Sequence, residues 1–197
     1  MKKFFAVSVI LFHASLLQAQ APTPTDYQFR LQFHRQQAKE KEGLGFAGWV
    51  VVPDATAVGP FRALFVGGVV LKQHNGWAEF MVGSYVNEQG ATDPTVNIRA
   101  VVKNLRHLAL YAEGVYAFRA RQTSIFVNAT VPFKVGKFKV APGLESDTII
   151  RSGFQSSGWG PRIVVTLPTA TSIVVANSYQ FRTIGSDFLR TTLVITF

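Results

Sequence analysis

The sequence predicts an all-β chain, folded as a single antiparallel up-and-down barrel. Short stretches of alternating apolar and polar residues follow one another along nearly the whole length, and that period of two is the mark of a half-buried strand. Turn residues such as His74-Asn75-Gly76, Lys134-Val135-Gly136-Lys137 and Pro168-Thr169-Ala170-Thr171 separate these stretches. Beyond the first 21 residues no segment has a helical period, and no repeat of fixed length points to a propeller or solenoid.

The N-terminus is set apart from this pattern. Lys2 and Lys3 precede an apolar run from Phe4 to Leu17, and Ala19 and Ala21 form an A-x-A pattern. Charged, apolar and small residues in that order predict a secretory signal peptide over residues 1–21, cut after Ala21 or alternatively after Ala19. The apolar run is too short and too interrupted for a spanning helix, and no later stretch approaches the roughly 20 apolar residues a spanning helix needs. The domain expected after cleavage is residues 22–197.

The first strand is read at Tyr27 to His34, where Tyr27, Phe29, Leu31 and Phe33 alternate with Gln28, Arg30, Gln32 and His34. Leu44 to Val52 is apolar and Gly-rich. Phe61 to Lys72 and Trp77 to Val86 face each other across the His74-Asn75-Gly76 turn. Val96 to Lys103 and His107 to Arg119 are linked at Asn104-Leu105, and Ile125 to Phe133 follows a short link at Arg121-Gln122. Phe138 to Ile150 is interrupted by Pro142-Gly143, which weakens its strand signal. Arg151 to Pro161, rich in Gly and Ser, is expected to be a long loop. Ile163 to Leu167, Ile173 to Phe181 and Phe188 to Phe197 complete the set. The Gly67-Gly68 pair and Gly114 are read as bulge or bend positions.

The last stretch is the most informative. Leu189, Leu193, Ile195 and Phe197 share one face, Arg190, Thr192, Val194 and Thr196 the other, and the sequence stops on the aromatic. This resembles the C-terminal strand of bacterial outer-membrane β-barrel proteins, with Phe197, Ile195 and Leu193 as the signal read by the barrel-assembly machinery. The resemblance implies a transmembrane barrel in the Gram-negative outer membrane, with outer-membrane lipids, among them lipopolysaccharide, as partners. A closed barrel is also the one way besides a helix to satisfy every backbone group in lipid. Eleven candidate strands are legible, but such barrels normally have an even number with both termini in the periplasm. The expectation is therefore about ten strands, with eight or twelve open and one segment near the N-terminus or around Pro142 outside the barrel.

Signs of chemistry are sparse. There is no cysteine, which excludes disulfides and Cys-ligated metals. His34, His74 and His107 lack ligand spacing, and no P-loop, Rossmann or nucleophile-elbow motif occurs. The His and Ser two positions apart of lipid A deacylases are not found, since Gln36, Gly76 and Ala109 follow the three histidines at that spacing. Asp54, Asp93 and Asp187 lack the accompanying His of omptin proteases. Asn97, His107 and Ser124 supply the residue types of outer-membrane phospholipase without a supporting motif. No catalytic, cofactor or metal residue is therefore assigned, and the chain is expected not to be an enzyme.

The polar faces do carry charge: Arg30, Arg62, Glu79, Arg99, Glu113, Lys139, Arg162, Arg182 and Arg190. In a narrow barrel these point into an interior that side chains largely fill. An unpaired buried charge is costly, so Glu79 and Glu113 are expected to find arginine partners. The whole chain carries a formal charge of +9, and since no tight Lys/Arg cluster stands out, solubility and turn chemistry are the first reading of it and anionic partners such as lipopolysaccharide phosphates the second; nucleic acid is not expected for an exported chain. The expected role is structural or surface-interacting. A narrow, porin-like pore for small solutes and a secreted soluble barrel binding an apolar ligand are the alternatives.

Overall fold

The computed structural model describes residues 26–38, 42–55, 62–87, 89–105, 107–169 and 171–197. The signal peptide expectation lies outside these residues, as does Phe61. The described residues form twelve strands and no helix: β1 (Asp26–Ala38), β2 (Gly43–Val52), β3 (Ala63–Gln73), β4 (Gly76–Val86), β5 (Thr92–Leu105), β6 (Leu108–Ala117), β7 (Gln122–Thr130), β8 (Phe133–Val135), β9 (Phe138–Arg151), β10 (Phe154–Leu167), β11 (Ser172–Arg182) and β12 (Phe188–Thr196). Each barrel strand pairs antiparallel with the next. The three-residue β8 hangs on the start of β9 as a separate short hairpin, opposing Phe133 to Val140.

The barrel closes where β1 meets β12, and there the pairing is parallel, with Asp26 opposite Phe188 and His34 opposite Thr196. Eleven strands form the closed sheet, one more than the ten expected. In an up-and-down meander each strand reverses direction, so an odd number makes the first and last run the same way. Asp26 and the C-terminal residue Phe197 consequently lie at opposite ends of the barrel, rather than at one end as in an even-numbered barrel. The Phe197 backbone N–H extends the closure by donating to the His34 carbonyl at 3.1 Å.

Two further expectations are corrected. Residues 154–161 belong to the 14-residue strand β10, which follows a tight turn around Gly153 and pairs with β9 from Phe154 opposite Arg151 to Thr166 opposite Lys139. Their Gly and Ser content marks a strand that packs small side chains, not a loop. Pro142 likewise does not break β9. Its carbonyl accepts from the Val131 N–H at 2.9 Å, just past the end of β7, so the donor that proline lacks faces the point where the ladder stops.

Gly67, Gly68 and Gly114 make no bulge. The β3–β4 register runs unbroken from Ala63 opposite Val86 to Gln73 opposite Gly76, and the register shift falls instead between Val102 and Leu105 on β5. Gly68 serves close approach: a Cβ there would collide with the Phe80 carbonyl oxygen and lie 2.7 Å from the Met81 Cα.

Alternation along the strands sorts the side chains by face. On β5 Asp93, Thr95, Asn97 and Arg99 are buried, while Ile98 between them is exposed. On β4 Glu79 and Met81 are buried, while Phe80 and Val82 are exposed. The interior is therefore largely polar and the outer wall apolar. The interior's apolar part is a cluster on β2 to β4 comprising Ala47, Trp49, Val51, Leu64, Val66, Val70 and Met81.

Candidate functional site

Among the described residues polar chemistry concentrates in the interior, and its charged side chains form two networks. The first spans β1 to β6. Glu79 is 2 % exposed; its carboxylate accepts from Trp49 Nε1 at 2.7 Å and from the Gln36 amide, and lies 3.0 Å from His34 Nε2. The His34 ring stacks on Trp49 with centroids 3.8 Å apart. Arg99 opposes Glu79 on one neighbouring strand and Glu113 on the other. Its Nη2 donates to Glu113 Oε1 at 2.6 Å, and its guanidinium carbon sits 4.0 Å above the Trp49 ring. Asn97 and Tyr111 donate the remaining bonds to the Glu113 carboxylate, each at 3.0 Å.

The second network joins β9 to β12. Glu145 pairs with Arg162 and accepts from the Gln180 amide, while Asp147 pairs with Arg182. Arg190 on β12 bridges the two acids, 2.8 Å from Asp147 Oδ2 and 3.6 Å from Glu145 Oε1. Gln180 is fully buried and Arg190 nearly so. A charge-assisted pair of this kind is stable only when the remaining donors and acceptors are also engaged, and here amide side chains supply part of that.

Below these networks, toward the end of the barrel that carries Phe197, the interior opens into a cavity of about 600 Å³. Trp77, Tyr111 and Phe126 form part of its wall as an edge-to-face chain, with centroids 6.4 and 5.8 Å apart. Lys72, Lys103 and Lys139 stand at the open end, and Arg30, Glu113 and Arg162 lie deeper. Arg30 Nε has no hydrogen-bond partner, and among the described residues no carboxylate lies within ion-pair distance of Arg30.

Of the charged residues expected inside, Glu79, Arg99, Glu113, Arg162, Arg182 and Arg190 join the two networks, Arg30 and Lys139 line the cavity outside them, and two expectations are corrected. Arg62 precedes β3 at the opposite rim and is exposed. Glu79 takes no arginine partner: the expected role falls to His34, Gln36 and Trp49, because Arg99 turns to Glu113. Glu145, Asp147 and Gln180 are members that sequence reading missed. The first two sit beyond Pro142 in a stretch read as a weak strand, although their spacing of two already placed both on one face.

The enzyme-like residue sets do not assemble. Asp54 accepts from the Phe29 backbone, Asp93 from Arg119 and Ala120, and Asp187 from Arg182, so each caps a different loop at the rim near Asp26. Asn97 and Ser124 both lie opposite Val115, whereas His107 sits in the β5–β6 turn at the other end of the sheet. Among the described residues no group of three or more His, Asp or Glu side chains is arranged to hold a metal ion.

No protein-family model matches the chain, and neither does any curated protein or solved structure.

Proposed function

We propose that this chain is a non-enzymatic β-barrel of the bacterial outer membrane, with a structural or surface-interaction role. The observation that carries the reading is the outer wall. Phe46 is 73 % exposed and Leu144 62 %, and with Phe80, Val82 and Ile98 they make an apolar exterior around a charged interior. A water-soluble barrel holding an apolar ligand requires the reverse. The strands are also of spanning length, since about 9–11 tilted residues cross a bilayer. Outward polar side chains satisfy one another, as in the Thr191–Asn177 bond of 2.7 Å and the Thr148–Ser157 bond of 3.0 Å.

Aromatic residues gather near the rims, as expected where a barrel meets the two membrane interfaces. Trp159, Phe181 and Tyr179 pack together near one rim, and Phe133, Phe138 and Phe197 stand exposed near the other. The two ion-pair networks fill the middle of the barrel, which favours an anchor or scaffold over an open pore. Outer-membrane lipids are the partners this surface suits, lipopolysaccharide among them, and the barrel-assembly machinery would act during biogenesis.

Fractionation of the native cell envelope, with heated and unheated gels, tests the reading. A heat-modifiable band in the outer-membrane fraction is expected, and so is silence in planar bilayers. Deleting Phe197 is expected to lower the yield of that band. Recovery of the protein in the aqueous fraction without detergent would overturn the assignment.

A further inference from the structure

The interior charges do not balance. Glu113, Glu145 and Asp147 pair with Arg99, Arg162, Arg182 and Arg190, and Glu79 is held by hydrogen bonds with His34, Gln36 and Trp49. Arg30 is left without an ion pair among the described residues: Arg190 repels it, and Glu113, Asp147 and Glu145 attract it without coming within ion-pair distance. A cation held inside a barrel without a counter-charge is unfavourable. Arg30 nevertheless lines the cavity, and Lys72, Lys103 and Lys139 line its open end. Among the described residues that line the cavity, Arg30, Arg162, Lys72, Lys103 and Lys139 stand against the single acid Glu113. Part of the cavity wall is aromatic, formed by Trp77, Tyr111 and Phe126, and the cavity falls within the roughly 300–1,000 Å³ typical of small-molecule pockets.

We propose that this cavity is a blind binding site for a small organic anion with a flat aromatic body. The carboxylate or phosphate of such a molecule would pair with Arg30, and its ring would lie against Trp77, Tyr111 and Phe126. Lys72, Lys103 and Lys139 at the mouth would draw anions in, more weakly as salt rises. The networks above the cavity close it off, so the site retains a ligand instead of passing it through. The site lies inside the barrel, and the inference does not rest on the barrel's being in a membrane.

Equilibrium dialysis of the folded full chain in detergent micelles, against empty micelles, tests it with three probes: 2-naphthoate, its neutral analogue 2-naphthylmethanol, and inorganic phosphate. Saturable one-to-one retention of naphthoate is expected, at least about tenfold tighter than either other probe. Arg30→Lys, which keeps the charge, should retain it, and Arg30→Met should weaken it about tenfold. Retention no greater than in empty micelles would overturn the proposal, as would equal binding of the alcohol or equal binding by Arg30→Met. Phosphate binding as tightly as naphthoate would overturn the aromatic half of it. Should Arg30→Met fail to fold, the comparison of naphthoate with the neutral alcohol on the wild type and on Arg30→Lys decides alone.

Discussion

Arg99 and Glu113 face each other across β5 and β6, joined by a bond of 2.6 Å from guanidinium to carboxylate in which the arginine side chain is fully buried. Removing the acid leaves that guanidinium inside the barrel beside only the already committed Glu79. Glu113→Ala is expected to lower folding stability by about 3–5 kcal/mol. Glu113→Gln, which keeps a hydrogen-bond acceptor for Arg99, should lose less. Urea unfolding of both variants in the same micelles measures this, and wild-type stability for Glu113→Ala would mean the pair is not desolvated.

That pair is legible in the sequence, because alternation alone puts Arg99 and Glu113 on the polar faces of consecutive strands. The partners of Glu79 are not. Trp49 and His34 reach it from 30 and 45 residues away in sequence, and nothing local distinguishes Trp49 from the apolar residues around it. The strand at 154–161 was hidden for a different reason. Small residues there suit a crowded strand, but Gly and Ser in sequence argue for a loop. The eleven strands were readable, whereas the even number came from resemblance to other barrels, not from residues. Parallel closure depends on which edges meet, and that is a property of the closed sheet.

The closure can be tested chemically because the chain has no cysteine of its own. Leu31 on β1 lies opposite Leu193 on β12, and Tyr27 lies opposite Leu189. Leu31→Cys with Leu193→Cys is therefore expected to cross-link on mild oxidation, since paired strands hold Cα atoms within disulfide reach. Leu31→Cys with Leu189→Cys, four residues out of register, should not. A barrel closed between β2 and β12, with β1 displaced, would give no cross-link with either pair. The measurement is the mobility shift of the folded protein on a non-reducing gel.

Gly68 and Gly114 are expected to respond in opposite ways to the same substitution. A Cβ at Gly68 would meet the backbone of Phe80 and Met81 on β4, whereas a Cβ at Gly114 meets nothing within 4 Å. Gly68→Ala must push β3 and β4 apart or distort them, a cost of about 1–3 kcal/mol for overpacking. Gly114→Ala should stay within about 0.5 kcal/mol of wild type, as at an unconstrained surface site. Thermal melts of the two variants make the comparison, and equal losses would remove close approach as the reason for glycine at position 68.

Ile98 separates a barrel in lipid from one in water. It is 54 % exposed on the outer face, between the buried Asn97 and Arg99, level with the interior networks and away from both rims. In a bilayer Ile98→Lys would place a cation near the hydrocarbon midplane, at a cost of about 2–4 kcal/mol. In water the same change decorates an exposed strand and should move stability by about 0.5 kcal/mol or less. Asn75→Lys, in the exposed β3–β4 turn, controls for added positive charge and is expected to be neutral in either setting. Folding free energies into phosphatidylcholine vesicles give the answer directly. If Ile98→Lys and Asn75→Lys fold equally well there, the apolar wall does not face lipid, and the outer-membrane reading gives way to a barrel whose exposed face is covered by something else.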